Sequence, residues 1–159
     1  MKFKFLPHTA DRKFQAFGKT LEEVFKNSAL ALFNIIYDKK ISENKKFKIS
    51  VKGKDLESLM YNFLEEFLVL IDSKNFLPSK ITNLKFDTLK NTPRRGMKIQ
   101  NRKFCIKGIN KKNFKIKAEV VGDDAKNYNI SEHVKAITYN EMFVKKEKGR
   151  WIAQVVLDI

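Results

Sequence analysis

The chain has 159 residues and a formal net charge of +15, from 33 Lys plus Arg against 18 Asp plus Glu. With 43% hydrophobic and 32% charged residues it reads as one globular domain spanning residues 1–159 rather than a disordered tail, and no apolar run reaches the roughly 18 residues that cross a bilayer. The opening Met1-Lys2-Phe3-Lys4-Phe5 lacks the apolar stretch of a signal peptide, a lone Cys105 excludes a disulfide framework or a multi-cysteine zinc site, and the six glycines form no phosphate-cradling loop; a cytoplasmic setting is expected.

Lys2 to Leu6 reads as a short strand with Phe3 and Phe5 on one face, followed by a break at Pro7 to Asp11 and a second alternating run over Lys13 to Phe17. Thr20-Leu21-Glu22-Glu23 has the form of a capping box, in which Thr20 caps the amide three residues on. Leu21, Val24, Phe25, Ser28, Ala29, Leu32, Ile35 and Ile36 then recur at helical spacing, predicting a helix that ends near Tyr37. Lys46 to Val51 alternates as a strand. Gly53 and Asp55 open a second helix whose stripe runs from Leu56 through Leu59, Met60, Phe63, Leu64, Phe67 and Leu68 to Ile71, ending near Ser73. Strands are expected over Ile81 to Leu89 and Met97 to Ile109, joined by an exposed tip at Thr92 to Gly96, and then over Phe114 to Val120. A polar loop carrying Gly122-Asp123-Asp124 and Asn129 to His133 leads to strands at Lys135 to Val144 and Trp151 to Leu157. The order predicts an α+β fold: an antiparallel or mixed β-sheet with two amphipathic helices packed on one face.

The charge is unevenly distributed. Between Lys74 and Lys117 lie 14 basic residues and a single acid, Asp87, so this segment carries +13 of the net +15. A localised basic run points to a polyanionic partner such as RNA. The bland alternative is genome composition, since 28 of the 33 basic residues are Lys, and Lys, Asn, Ile and Phe share A- and T-rich codons. That accounts for lysine but not for the lack of acids.

Neither His8 nor His133 sits in a pattern suited to nucleophilic catalysis, so no catalytic residue is assigned. Asp11 follows the first strand break, Asp158 ends the last strand, and Ile159 follows with its α-carboxylate. Converging carboxylates repel one another unless a cation binds or one stays protonated, and all-oxygen ligands suit Ca²⁺ or Mg²⁺. On spacing alone, Asp11 as a turn residue and Asp158 as a solvated strand end is the preferred reading.

These residues carry a resemblance. Phe5-Leu6-Pro7-His8-Thr9-Ala10-Asp11 resembles the HTAD signature of the archease family, and Phe17 to Phe25 and Ala29 to Phe33 continue in kind. Lys135-Ala136-Ile137-Thr138-Tyr139 is similar to its KAxTY strand, and Val156-Leu157-Asp158-Ile159 to its C-terminus. The resemblance implies a non-catalytic activator of the GTP-dependent 3′-phosphate RNA ligase of tRNA splicing, promoting guanylylation of the ligase's active-site histidine and multiple turnover. It also implies a divalent cation, Ca²⁺ with Mg²⁺ as the alternative, on Asp11, Asp158 and Ile159. Faces toward the partner or RNA are expected at Asp123, His133, Lys135, Arg94 and Arg95, with tRNA meeting the Lys74 to Lys117 segment. The competing functional reading is a basic RNA-binding accessory or chaperone-like module. Two positions depart from the family pattern: Asp123 stands where Glu is usual after Gly122, and Asn140 where His often follows the Thr-Tyr pair.

Overall fold

The computed structural model describes residues 1–88 and 114–159. Among them the chain runs β1 (Phe3–Leu6), β2 (Arg12–Gly18), α1 (Leu21–Ile36), β3 (Lys45–Gly53), α2 (Leu56–Lys74), β4 (Phe76–Thr88), β5 (Phe114–Asp124), β6 (Ala136–Glu147) and β7 (Arg150–Asp158). The class is α+β, as expected, with the strands divided between two sheets. One sheet has the order β1-β2-β7-β6 and the other β3-β5-β4, and all pairings are antiparallel. The expected strand over Met97 to Ile109 and the tip carrying Arg94 and Arg95 lie outside the described residues.

Both helices start where their capping residues stand. Thr20 Oγ1 accepts from the Glu23 amide at 3.2 Å, while the Glu23 carboxylate reaches past the cap to the Lys19 amide at 3.0 Å. Asp55 and Ser58 form a reciprocal capping box: the Ser58 amide donates to Asp55 Oδ1 at 2.7 Å and the Asp55 amide to Ser58 Oγ at 3.1 Å. Each satisfies amides that a helix start leaves without partners. α2 ends at Asn75 in the left-handed conformation (φ 51°).

Each helix packs on strands of both sheets: α1 on β2, β7 and β4, and α2 on β3, β4 and β6. The helical stripes therefore face a shared core. An aromatic chain runs through it, with ring centroids 5.6 Å apart for Phe25–Phe63, 5.1 Å for Phe63–Phe67 and 4.8 Å for Phe33–Phe67. Phe25, Phe63 and Phe67 are fully buried, so their apolar area together with tilted and edge-on ring contacts anchors the helices. No helix among the described residues is long and apolar enough to cross a membrane.

Two features of the strands set up the site. β2 pairs with β7 without interruption from Gly18–Trp151 to Arg12–Leu157. β6 by contrast breaks register against β7 between Thr138 and Phe143, where Tyr139 to Met142 are looped out. Such bulges re-aim side chains, and here Glu141 takes a left-handed backbone (φ 54°) that is uncommon for a residue with a Cβ.

Candidate functional site

Extending the β2–β7 register one residue beyond Arg12–Leu157 puts Asp11 across from Asp158, so the first and last acids of interest share one end of the four-stranded sheet. On the other side Asp158 pairs with Ala136, and its carbonyl accepts from the Lys135 amide at 2.8 Å. Lys135 therefore stands beside Asp158 with an exposed side chain. The burial of β7 explains the placement: Ala153 to Leu157 are all buried, so the strand is covered on both faces until it reaches exposed Asp158 at the rim. Ala10, at φ 64°, turns the chain into Asp11.

Behind Asp11 sits a group that sequence patterns only partly reveal. His8 Nδ1 lies 3.6 Å from Asp11 Oδ2, and His8 Nε2 lies 3.7 Å from Glu141 Oε2. The His8 Nδ1 atom is buried and has no hydrogen-bond partner. Lys13 Nζ holds the Glu141 carboxylate at 2.8 Å, and that hydrogen bond keeps Glu141 below the usual carboxylate pKa. Gln154 Nε2 donates to the Glu141 carbonyl at 2.8 Å and steadies the looped-out segment. Glu141 was not among the residues expected at the site. Its signal was the polar pair Asn140-Glu141 breaking the alternation of a strand.

The remaining expected residues are dispersed. His133 is exposed in the segment between β5 and β6, which is tied to the end of α1 by the Ser131 amide donating to the Ile36 carbonyl at 2.8 Å. Its neighbour Glu132 pairs with Arg12 at 3.3 Å, so this segment lies against the start of β2. Asp123, expected on a partner-facing polar loop, is instead buried at the end of β5, with 7% of its surface exposed. Tyr128 Oη donates to Asp123 Oδ2 at 2.8 Å and accepts from the Ser42 amide at 2.9 Å. The loop placement fails because β5 continues four residues past Val120, carrying Asp123 into the interior.

The donor chemistry at the sheet end fits a hard cation in part. Asp11 and Asp158 offer oxygen ligands from neighbouring strand ends, as Ca²⁺ and Mg²⁺ prefer. Among the described residues no three His, Cys, Asp or Glu side chains gather into a metal-holding group. Any cation there would need main-chain oxygens, the Ile159 carboxylate and water to complete its shell.

The archease protein family model matches residues 3–159. The chain belongs to the archease family. Full-length relatives agree: the archease of Methanosarcina barkeri is 38% identical over 163 residues, covering 99% of this chain and 96% of the relative. That of Pyrococcus abyssi is 38% identical over 156 residues, covering 96% and 94%. The solution structure of Methanobacterium thermoautotrophicum protein 1598 superposes with a TM-score of 0.76 at 28% identity, covering 99% of both chains. A Thermotoga maritima archease, described as a possible chaperone, shares the fold at a TM-score of 0.55 and 16% identity, covering 98% of this chain and 96% of that one.

Proposed function

We propose that the protein activates a GTP-dependent 3′-phosphate RNA ligase of tRNA splicing, promoting guanylylation of the ligase's active-site histidine. Family membership supports the reading, and one observation carries it to the level of residues: the β2–β7 register brings Asp11 and Asp158, each from a family-like motif, to the same end of one sheet. In this reading Asp11, Asp158 and Ile159 hold a divalent cation, Ca²⁺ in preference to Mg²⁺ because a partly flexible, all-oxygen shell suits the larger ion. A cation so held supplies positive charge for phosphate oxygens at the ligase's nucleotide site.

The chain's own residues have separable parts. Asp11 and Asp158 present carboxylate oxygens at the sheet rim. The Lys135 amide, bonded to the Asp158 carbonyl, fixes the end of β7, and its exposed ammonium is placed to meet an anionic group of the partner. Lys13 holds Glu141. The docking surface is then the sheet end formed by the β1–β2 turn, the end of β7 and the start of β6.

The test is guanylylation of the cognate ligase by labelled GTP. Asp11→Ala and Asp158→Ala are expected to retain the wild-type circular dichroism spectrum, because both side chains sit at the rim. Each is expected to lower stimulation at least tenfold. Normal stimulation by the double variant contradicts the assigned site.

A further inference from the structure

We propose that the outer face of the β3-β5-β4 sheet binds the phosphodiester backbone of RNA, at a surface separate from the Asp11–Asp158 end. The inner face of this sheet is closed by the core, where Ile49, Val51, Ile81, Leu84, Ile116, Ala118 and Val120 are buried. The alternate residues face out, and three strands contribute lysine to one surface: Lys46, Lys48 and Lys52 from β3, Lys115 and Lys117 from β5, and Lys85 from β4. Two acids share the face, Glu119 and Asp87. Glu119 is already engaged by Lys46 at 3.0 Å, and that hydrogen bond, with Lys48 and Lys85 nearby, holds its carboxyl below the usual range.

The register makes this more than a polar surface. Lys117 stands between Ser50 and Lys85 on its two neighbouring strands, and Lys115 stands between Lys52 and Asp87. Like charges placed directly opposite destabilise a sheet, so Lys117–Lys85 and Lys115–Lys52 are pairings that folding alone does not favour. Among the described residues, Lys48, Lys52, Lys85, Lys115 and Lys117 have no carboxylate within 4.0 Å, whereas Lys45, Lys46 and Lys80 each do. An open hollow of 330 Å³ lies over the middle of the face, lined by Lys48, Ser50, Asn83, Lys85, Lys117 and Glu119. Codon usage can supply lysine, and strand alternation turns it outward, but neither accounts for the shortage of acids on this face.

The chemistry points to a phosphate backbone. From Lys46 to Lys52 the track runs for roughly 20 Å and spans three strands, about 10 Å across. An evenly repeated line of charge matches that track better than scattered acidic side chains do. Ser50 and Asn83 add neutral hydrogen-bond partners for phosphate oxygens. The outward positions of this face among the described residues carry no aromatic ring, so bases have no stacking platform and binding is sequence-tolerant and salt-dependent. The choice of RNA over DNA rests on the proposed ligase partner; the charged face itself does not.

The test uses the full chain alone, without ligase, so that it stands or falls separately from the guanylylation assay. Fluorescence anisotropy would measure binding of labelled U20 RNA, dT20 DNA and poly-glutamate between 50 and 200 mM KCl. The probe variant is Lys48→Gln/Lys85→Gln/Lys117→Gln. The control, Lys39→Gln/Lys40→Gln/Lys146→Gln, removes the same charge from exposed sites elsewhere. The face variant is expected to bind U20 at least tenfold more weakly and to flatten the log–log salt slope by about 2, three contacts at roughly 0.7 each. The control is expected to stay within about twofold of wild type on the same electrostatic grounds. Glu119→Gln, which removes an acid and frees Lys46, is expected to tighten binding. Equal losses in both triple variants, or none in the face variant, overturn the proposal. So does face-dependent binding of dT20 without U20, or of poly-glutamate as tightly as U20.

Discussion

The Asp123 carboxylate accepts from the Asp124 amide and the Tyr128 hydroxyl, and these bonds to its charged form lower its pKa against the opposing effect of burial. A carboxylate with a depressed folded-state pKa contributes stability that is present above its unfolded pKa and lost as pH falls through the folded value. Wild type is therefore expected to exceed Asp123→Asn in stability by a margin that is full at pH 7 and shrinks as pH drops below about 4. Urea unfolding at a series of pH values measures it, and a constant margin would mean that ionisation of Asp123 does not matter. Ile159 gives a second test. Extending the chain past it removes the α-carboxylate from beside Asp158, so a C-terminally tagged protein is expected to bind Ca²⁺ more weakly in calorimetry than an N-terminally tagged one. Equal affinities would remove Ile159 from the ligand set.

At the scale of elements, the helices were the most legible part of the sequence because their signals are local. The Thr20 cap and the Asp55 start mark where α1 and α2 begin, and the expected ends near Tyr37 and Ser73 fall within a residue of the observed ones at Ile36 and Lys74. Asp55→Ala is expected to cost about 1 kcal/mol by leaving the Ser58 amide uncapped. For a chain of this size that is a fall in melting temperature of roughly 2–4 °C, and an unchanged melting curve would show the cap to be redundant. The strands were legible in type but less so in extent. β4 begins at Phe76, five residues before the expected Ile81, because register shifts at Pro78/Lys80 and Ile81/Asn83 break the alternation that a sequence reading relies on. The same limit hid Glu141, which only the β6 bulge turns toward His8 and Lys13. In the sequence Gly122 reads only as part of a polar loop. Its role is a close approach: a Cβ there would overlap the Leu77 carbonyl on the neighbouring strand.

For the whole molecule, the site depends on long-range pairing that no local pattern encodes. Asp11 and Asp158 are 147 positions apart in sequence, and only the antiparallel partnership of β2 and β7 makes them neighbours. Motif resemblance pointed to both residues; it could not supply the register that joins them. The charge changed in meaning too. Its linear run from Lys74 to Lys117 looked like the basic region, yet folding sets the described lysines of that run beside Lys46, Lys48 and Lys52, which come from a segment that had looked ordinary. The two proposals thus rest on different parts of the molecule, the strand ends that carry Asp11 and Asp158 and the lysine-bearing face of the β3-β5-β4 sheet. The most direct measurement of the central claim is single-turnover guanylylation of the cognate ligase with GTP, with and without the protein, in Ca²⁺ and after chelation. The account predicts strong stimulation by wild type that is lost in Asp11→Ala/Asp158→Ala. No stimulation by wild type, or equal stimulation by wild type and the double variant, would contradict it.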